Sequence, residues 1–283
     1  MTSKELFFML CVGCGMTDGF CKEPVIQVMP ASQMPIKTVI FDLGDVVFST
    51  AQFGMFPQNR VKELIKEHPE LLSFFKQASV RKEVVRFLHE VSDGMAVHDP
   101  SMLSLFPAIL VNWLTGMSSD EARTHVEKHL EKSHHTEGMR KVWGVVSDHL
   151  FSPELLVSSV VVMEPVAELI RSLKEQGYQL YVLSNWDVTS FPLLMEKHKD
   201  LLLLFDGIMI SGEERMGKPN QALYTALLTR YALDPASCLF IDDMSENIKA
   251  AEKVGIRGVR METCDGLLDS LEQLGLVVRN CQE

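Results

Sequence analysis

The sequence predicts an α/β protein, a Rossmann-like doubly wound parallel sheet that carries an inserted α-helical cap domain. Two patterns predict this fold. From residue 164 onward, short apolar strand patterns alternate with helix patterns, which is typical of a parallel sheet covered by helices on both faces. Between residues 51 and 159 the apolar spacing is helical and clear strand patterns are absent, which indicates a helical insertion after the first strand.

The first predicted strand, Thr38-Val-Ile-Phe41, consists of β-branched and aromatic residues. Such a continuous apolar run favours a strand that is buried on both faces. It leads into Asp42-Leu-Gly44, and a glycine suits a point where the backbone bends sharply or approaches a ligand. The sequence therefore predicts a buried strand followed by a tight polar loop.

The inserted segment contains several helix patterns. Apolar residues have helical spacing in 61–65 and in 84–88. Ser118 and Glu121 match a capping box, which predicts the start of a charged helix that reaches about Lys132. We therefore assign residues 51–159 to the helical cap, and residues 36–50 together with 160–283 to the α/β core.

Helices and strands alternate after the insertion. A helix begins at Glu164-Pro165, because proline favours the first helical position, and it ends before Gly177. The further predicted strands are 178–183, 207–210, 238–241 and 257–260, and the further predicted helices are 220–231 and 245–254.

Polar residues follow three of these strands at the point where each strand ends. They are Asp42, then Ser184 with Asn185, and then Asp242-Asp243. In open parallel sheets, ligands bind outside the carboxyl ends of the strands. The sequence therefore predicts a binding site at this edge of the sheet.

Composition excludes several classes of protein. The chain has 283 residues, of which 46% are hydrophobic and 23% are charged, as expected for a folded globular protein. Its formal net charge is −11 and it has no dense Lys/Arg run, which argues against nucleic acid as a partner. Six cysteines in a chain of this length are too few for a disulfide scaffold.

The first 35 residues carry no core pattern, and we expect a disordered leader. The apolar run 6–12 is too short to span a bilayer. A weak signal segment or a lipoprotein-type leader within residues 1–21 is the alternative interpretation. We expect a cytoplasmic protein with no membrane span, either a monomer or a homodimer.

Four short motifs follow one another along the chain. They are Phe41-Asp42-Leu43-Gly44-Asp45, Leu183-Ser184-Asn185, Gly217-Lys218-Pro219, and Phe240-Ile241-Asp242-Asp243 with Asn247 downstream. Each motif alone is a weak signal, because a single Asp, Ser or Lys is more often a cap or a solvated loop residue. Together, and in this order, they resemble a haloacid dehalogenase superfamily hydrolase with a helical cap, over residues 36–276.

This resemblance implies a function for each motif. Asp42 is expected to be the nucleophile that forms an aspartyl-phosphate, and Lys218 is expected to neutralise the phosphate and to pair with Asp42. Ser184 and Asn185 are expected to bind phosphate. Mg²⁺ is expected as the cofactor, held by Asp42, the carbonyl oxygen of Gly44 and Asp243, with Asp242 close by. The implied substrate is a small phosphorylated metabolite, similar to a sugar phosphate.

One position departs from the pattern of the phosphatases in this family. They usually carry a second Asp two residues after the nucleophile, as general acid and base, and this chain has Gly44 there. Asp45 is one residue too late, and it can substitute only if the loop turns it inward. Two alternatives therefore stay open, namely a metal-independent 2-haloacid dehalogenase and a catalytically degenerate binding or regulatory module.

Residues outside the motifs give weaker signals. His125 and His129 have the four-residue spacing of a metal site on one helix face, but their segment is heavily charged, which favours a solvated helix. Trp186 directly follows the second motif, so we expect it to face the site. Core packing is the expected role of Trp113 and Trp143.

Overall fold

The structure is a computed structural model that describes residues 25–33, 35–49, 62, 65–69, 72 and 80–280. Its centre is a sheet of five parallel strands in the order β6-β5-β2-β7-β8. These strands are β2 (Thr38–Phe41), β5 (Gln179–Ser184), β6 (Gly207–Ile210), β7 (Cys238–Asp242) and β8 (Arg257–Arg260). The predicted α/β fold with a parallel sheet is confirmed.

Helices cover both faces of the sheet. On one face Val39 and Phe41 belong to an apolar cluster with residues of the helices at 164–175 and 264–273. On the other face Ile40 packs with residues of the helices at 221–230 and 245–253. Because successive side chains of a strand point to opposite faces, the apolar run of β2 fills both layers, as a central parallel strand requires.

The helical insert lies between two short strands, β3 (Phe48–Ser49) and β4 (Val161–Val162), which pair with each other. Its described helices are α1 (Val80–Val91), α2 (Ala108–Leu114), α3 (Ser119–Lys132), α4 (Glu137–Leu150) and α5 (Pro153–Ser159). They share their own apolar cluster, in which the rings of Phe87 and Trp143 stack with centroids 4.3 Å apart. The predicted core role of Trp143 agrees with this packing.

The remaining helices belong to the α/β core. They are α6 (Glu164–Glu175), α7 (Phe191–Lys197), α8 (Lys199–Leu202), α9 (Ser211–Glu214), α10 (Gln221–Arg230), α11 (Ser245–Lys253) and α12 (Cys264–Gln273). Among the described residues, no helix has both the length and the apolar character needed to cross a membrane.

One pair of strands corrects the predicted boundary at residue 36. β1 (Val25–Val28) pairs antiparallel with β9 (Val277–Asn280), and Val28 and Ala31 are buried in the core. Residues 25–33 therefore belong to the α/β core rather than to the leader. The partner strand lies some 250 residues away in the chain, so no local pattern indicates this pairing. The rest of the predicted leader, residues 1–24, lies outside the described residues.

Candidate active site

Strand register brings the predicted site residues together. Phe41 at the end of β2 lies between Val182 of β5 and Ile241 of β7 in the sheet. The backbone N–H of Asp42 donates to the carbonyl of Ile241 at 2.9 Å. Beyond this level β7 continues for one residue and β5 for two, so the polar residues at the ends of these three neighbouring strands meet at one edge of the sheet.

Asp42 and Lys218 form an ion pair at this edge. The Lys218 Nζ lies 2.9 Å from Oδ2 of Asp42 and 2.6 Å from Oδ2 of Asp242. Lys218 is fully buried, and Asp42 is only 6% exposed. Although burial acts to lower it, the two carboxylates raise the pKa of Lys218 above its usual value. The ammonium therefore stays charged between them.

Asn185 fixes the loop that carries Lys218. Its Oδ1 accepts the backbone N–H of Lys218 at 2.8 Å, and its Nδ2 donates to the carbonyl of Lys218 at 2.9 Å. The next peptide bond, Lys218-Pro219, is cis. Both polar atoms of the Asn185 side chain thus position Lys218, and the predicted contact of Asn185 with phosphate stays a prediction.

Asp242 is already saturated with protein donors. Its Oδ1 accepts from the N–H of Met244 at 2.8 Å and from Nδ2 of Asn247 at 2.9 Å, while its Oδ2 accepts from Lys218. Asn247 is buried, and its carbonyl accepts the hydroxyl of Tyr224 at 2.9 Å. This carboxylate therefore orients Lys218 and has little capacity left for another ligand.

Three carboxylates crowd around one ammonium. One carboxylate oxygen from each of Asp42, Asp242 and Asp243 lies within 4.8 Å of the others. Burial and the neighbouring carboxylates of Asp242 and Asp42 raise the pKa of Asp243 to about 8. Burial, opposed by Lys218 and reinforced by Asp42, raises the pKa of Asp242 to about 6. With all four groups ionised, two negative charges remain uncompensated, and a cation relieves this repulsion.

The donor set fits a hard divalent cation. Asp42 and half-buried Asp243 offer carboxylate oxygens, the ligand type that Mg²⁺ prefers. Asp42, Gly44, Asp45 and Asp243 line the same cavity. The residues predicted to hold Mg²⁺ thus lie together, and coordination by Asp42, Asp243 and the Gly44 carbonyl stays a prediction.

The cavity above these residues has a volume of about 140 Å³. Ser184, which is buried at the end of β5, lines its polar end together with Asn185. Trp186 also lines the cavity, as its position after the second motif predicts. Trp113 lines it too, so its role is not limited to the core packing that the sequence suggested.

Asp99 of the helical insert is a site residue that the sequence analysis missed. It is 3% exposed, and its Oδ2 accepts from the N–H of Gly217 and from Nδ2 of Asn220, each at 3.0 Å. Burial opposes ionisation, but hydrogen bonds from Ser101, Asn220 and Gly217 lower the pKa of Asp99 below its usual value. In the sequence, Asp99-Pro100 indicates only the start of a short helix. It does not indicate the hydrogen bond between Asp99 and Gly217, which lies 118 residues further along the chain.

The histidines of α3 do not share a ligand. The Nε2 of His125 lies 3.1 Å from the carbonyl of Val91, whereas the Nε2 of His129 lies 3.1 Å from Oε1 of Glu90. His135 contacts the same Glu90 oxygen at 3.3 Å. These separate partners favour a structural role over a metal site on one helix face.

Comparisons with known proteins agree with this geometry. The sequence model of haloacid dehalogenase-like hydrolases matches residues 36–255. The chain is 36% identical to a sesquiterpene phosphatase of Aspergillus oryzae over 112 residues, which are 40% of this chain and 56% of the relative. It is 25% identical to a flavin mononucleotide hydrolase of Arabidopsis thaliana over 125 residues, 44% of this chain and 50% of the relative. These matches thus span about half the length of either relative.

A solved structure supports the fold across a larger part of the chain. The structure of a HAD-like family hydrolase from Porphyromonas gingivalis superposes with a TM-score of 0.54 at 18% identity. The superposition covers 84% of this chain and 97% of that protein. A similarity at this level of identity supports the fold and not a shared substrate.

Proposed function

The chain belongs to the haloacid dehalogenase-like hydrolases, and we propose that it is a Mg²⁺-dependent phosphatase that hydrolyses a small phosphomonoester through Asp42. The observation that carries this proposal is the ion pair of Asp42 with Lys218, beside the carboxylate of Asp243. The names of the two curated relatives, a sesquiterpene phosphatase and a flavin mononucleotide hydrolase, both describe hydrolysis of phosphate esters.

The reaction has two steps at phosphorus. A carboxylate oxygen of Asp42 attacks phosphorus, and the bond from phosphorus to the ester oxygen breaks, which leaves an aspartyl-phosphate and the alcohol. Water then attacks phosphorus, which releases inorganic phosphate and restores the Asp42 carboxylate. Lys218 offsets the negative charge of the nucleophile and the phosphate, and Ser184 donates its hydroxyl to a phosphate oxygen.

Asp42 and Asp243 are the residues that would hold Mg²⁺, with the backbone of Gly44. A bound divalent cation neutralises charge on the phosphoryl group and orients it for attack. Asp242 acts differently, because its oxygens accept from Lys218, Met244 and Asn247. The Asp242 carboxylate keeps the Lys218 ammonium in place during both steps.

Asp45 is the candidate general acid and base in place of the missing second Asp. It lines the same cavity as Asp42 and Asp243, and its φ of 51° turns the chain at this point. General acid–base catalysis typically contributes about 10²–10⁴-fold. We therefore expect Asp45→Asn to lower kcat by about that factor and to flatten the pH profile of kcat, whereas an unchanged profile would remove Asp45 from the mechanism.

The acidic cluster separates this proposal from a dehalogenase. Displacement of halide by a carboxylate needs no metal, so the carboxylate of Asp243, which is crowded against Asp42 and Asp242, would have no role in it. A purely binding role explains the cluster no better, because Asp42 is held 2.9 Å from Lys218 at the polar end of a cavity that a substrate can enter.

The deciding experiment measures phosphate release from a generic aryl phosphate by the purified full chain, with Mg²⁺ and with a chelator. We expect Mg²⁺-dependent turnover by the wild type and loss of turnover in Asp42→Asn, with retained folding by circular dichroism. The matched control is Asp93→Asn, which changes an exposed aspartate of the insert. Full activity of Asp42→Asn, or chloride release from a 2-haloacid in chelator, would contradict the proposal.

A further inference from the structure

The cavity wall opposite the acidic cluster is apolar. We propose that the phosphatase site takes the phosphate monoester of an apolar alcohol, with an aliphatic or aromatic group, rather than a sugar phosphate. This inference rests on the proposed function and names the substrate class of the same site. It replaces the sugar-phosphate-like substrate that the family resemblance implied.

The helical insert supplies most of this wall. Within the described part of the insert, every residue that lines the cavity is apolar, and the principal ones are Val85, Leu88, Phe106, Leu110, Trp113 and Leu150. They come from three helices and from the turn before α2. A sugar that entered here would lose water from its hydroxyl groups and find no hydrogen-bonding side chain among the described lining residues of the insert, which is costly.

The two tryptophans that line the cavity leave its wall apolar. The indole N–H of Trp113 donates to Oγ of Ser119 at 3.2 Å, and that of Trp186 donates to Oγ of Ser190 at 2.8 Å. Both indole N–H groups are therefore hydrogen-bonded within the protein. The rings line the cavity with carbon surface, as binding sites for apolar groups commonly do.

Among the described residues, the polar side chains that line the cavity belong to the core, and two of them are already engaged within the protein. Asn185 bonds the backbone of Lys218 on both sides. Asp187 accepts from the backbone N–H groups of Thr189 and Ser190 at 2.8 and 2.9 Å. What remains for a ligand is the end formed by Asp42, Asp45, Ser184 and Asp243, which suits a phosphate with its cation. The site thus has one polar end and one apolar end.

The size of the cavity sets the scale of the apolar group. A volume of about 140 Å³ is close to the roughly 150 Å³ of a dry apolar cavity that binds benzene. A ring of that size or a short alkyl chain therefore fits without rearrangement. Burial of one methylene favours binding by about fourfold, so the length of an alkyl group is a direct probe of the wall.

The test compares kcat/KM of the full chain with Mg²⁺ for n-alkyl phosphates from ethyl to octyl, for glucose 6-phosphate and for acetyl phosphate. We expect kcat/KM to rise by about fourfold per methylene until the cavity is filled, and to be lower for glucose 6-phosphate than for hexyl phosphate. A flat series or a preference for glucose 6-phosphate, with acetyl phosphate still hydrolysed, overturns this inference alone. No hydrolysis of any of these compounds, acetyl phosphate included, overturns the proposed function as well.

A pair of variants assigns the effect to the wall. Leu110 lies in the wall and is 8% exposed, whereas Leu103 lies nearby in the same insert, outside the wall, and is 46% exposed. Leu110→Gln should reduce the gain per methylene, and Leu103→Gln should keep it. An equal gain in kcat/KM per methylene in both variants would contradict the assignment to this wall. The comparison of alkyl phosphates with the wild type does not depend on whether either variant folds.

Discussion

The ammonium of Lys218 is the only positive charge that contacts Asp42 and Asp242 among the ion pairs of the described residues. Removal of one partner from a buried pair leaves an uncompensated charge in a medium that solvates it poorly, which costs about 3–5 kcal/mol. The position of Lys218 is therefore as important to folding as to the chemistry that we propose.

Replacement of this lysine should show both effects. We expect Lys218→Met to lower the free energy of unfolding by about 3–5 kcal/mol and to abolish phosphate release. The control is Lys174→Met, which breaks an ion pair with Asp206 at 2.7 Å on the surface, where such pairs contribute about 1 kcal/mol or less. Urea denaturation measures both variants, and equal losses would contradict a buried, fully charged Lys218.

Most of the site residues could be predicted from the sequence because each follows a strand. Asp42, Ser184, Asp242 and Asp243 sit where apolar runs end, and parallel strands bring their carboxyl ends together. The role of Asn185 could not be predicted, because its two bonds to the backbone of Lys218 depend on the path of a distant loop.

At the scale of elements, the insert is attached to the core through the loop that carries Lys218. Asp99 accepts from Gly217, and a Cβ added to Gly217 would lie 2.5 Å from Sδ of Met102 in the insert. The hydroxyl of Ser211 in the core donates to the carbonyl of Leu114 at the end of α2. The short helix Pro100–Ser104 is thus packed directly against the loop that carries Lys218, and α2 contacts α9, which precedes that loop.

Loss of the Asp99 contact should therefore affect stability and turnover together. Asp99→Ala leaves the buried N–H of Gly217 without its acceptor, which we expect to cost about 1–3 kcal/mol, and it loosens the loop that holds Lys218. We expect a lower kcat with a smaller change in KM. Asp120→Ala, at an 86% exposed side chain of the same insert, is the control, and similar kinetics for the two variants would contradict this role.

Element boundaries were predictable where local rules decide them. The strands Thr38–Phe41, Gly207–Ile210 and Arg257–Arg260 agree residue for residue, and the capping box of Ser118 with Glu121 is present. The pairing of β1 with β9 could not be predicted, because no local sequence pattern in either short strand indicates its distant partner.

At the scale of the whole molecule, the cavity forms between the α/β core and the helical insert, which the sequence predicts as separate parts. The core loops supply its polar end and the insert supplies its apolar wall. Periodicity predicts that the insert is helical, but it does not give the directions of side chains between packed domains. For this reason the fold was predictable from the sequence, whereas the apolar character of the cavity wall was not.

Metal binding should stabilise the molecule as a whole. A ligand that binds only the folded state adds about 2.7 kcal/mol at a concentration 100-fold above its Kd, so we expect Mg²⁺ to raise the Tm of the wild type. Asp243→Asn should lose this response. In chelator it should be at least as stable as the wild type, because one of three crowded carboxylates is gone. A full Mg²⁺ response in Asp243→Asn would contradict the predicted ligand set.

The identity of the phosphorylated residue is the most direct test of the account. The wild-type chain is mixed with an aryl phosphate and Mg²⁺, quenched in acid within one turnover, digested and mapped by mass spectrometry. We predict a phosphoryl group on Asp42 in the peptide that contains it, and none when chelator replaces Mg²⁺. Release of phosphate with Asp42 unmodified throughout, or with the phosphoryl group on another residue, would contradict the account.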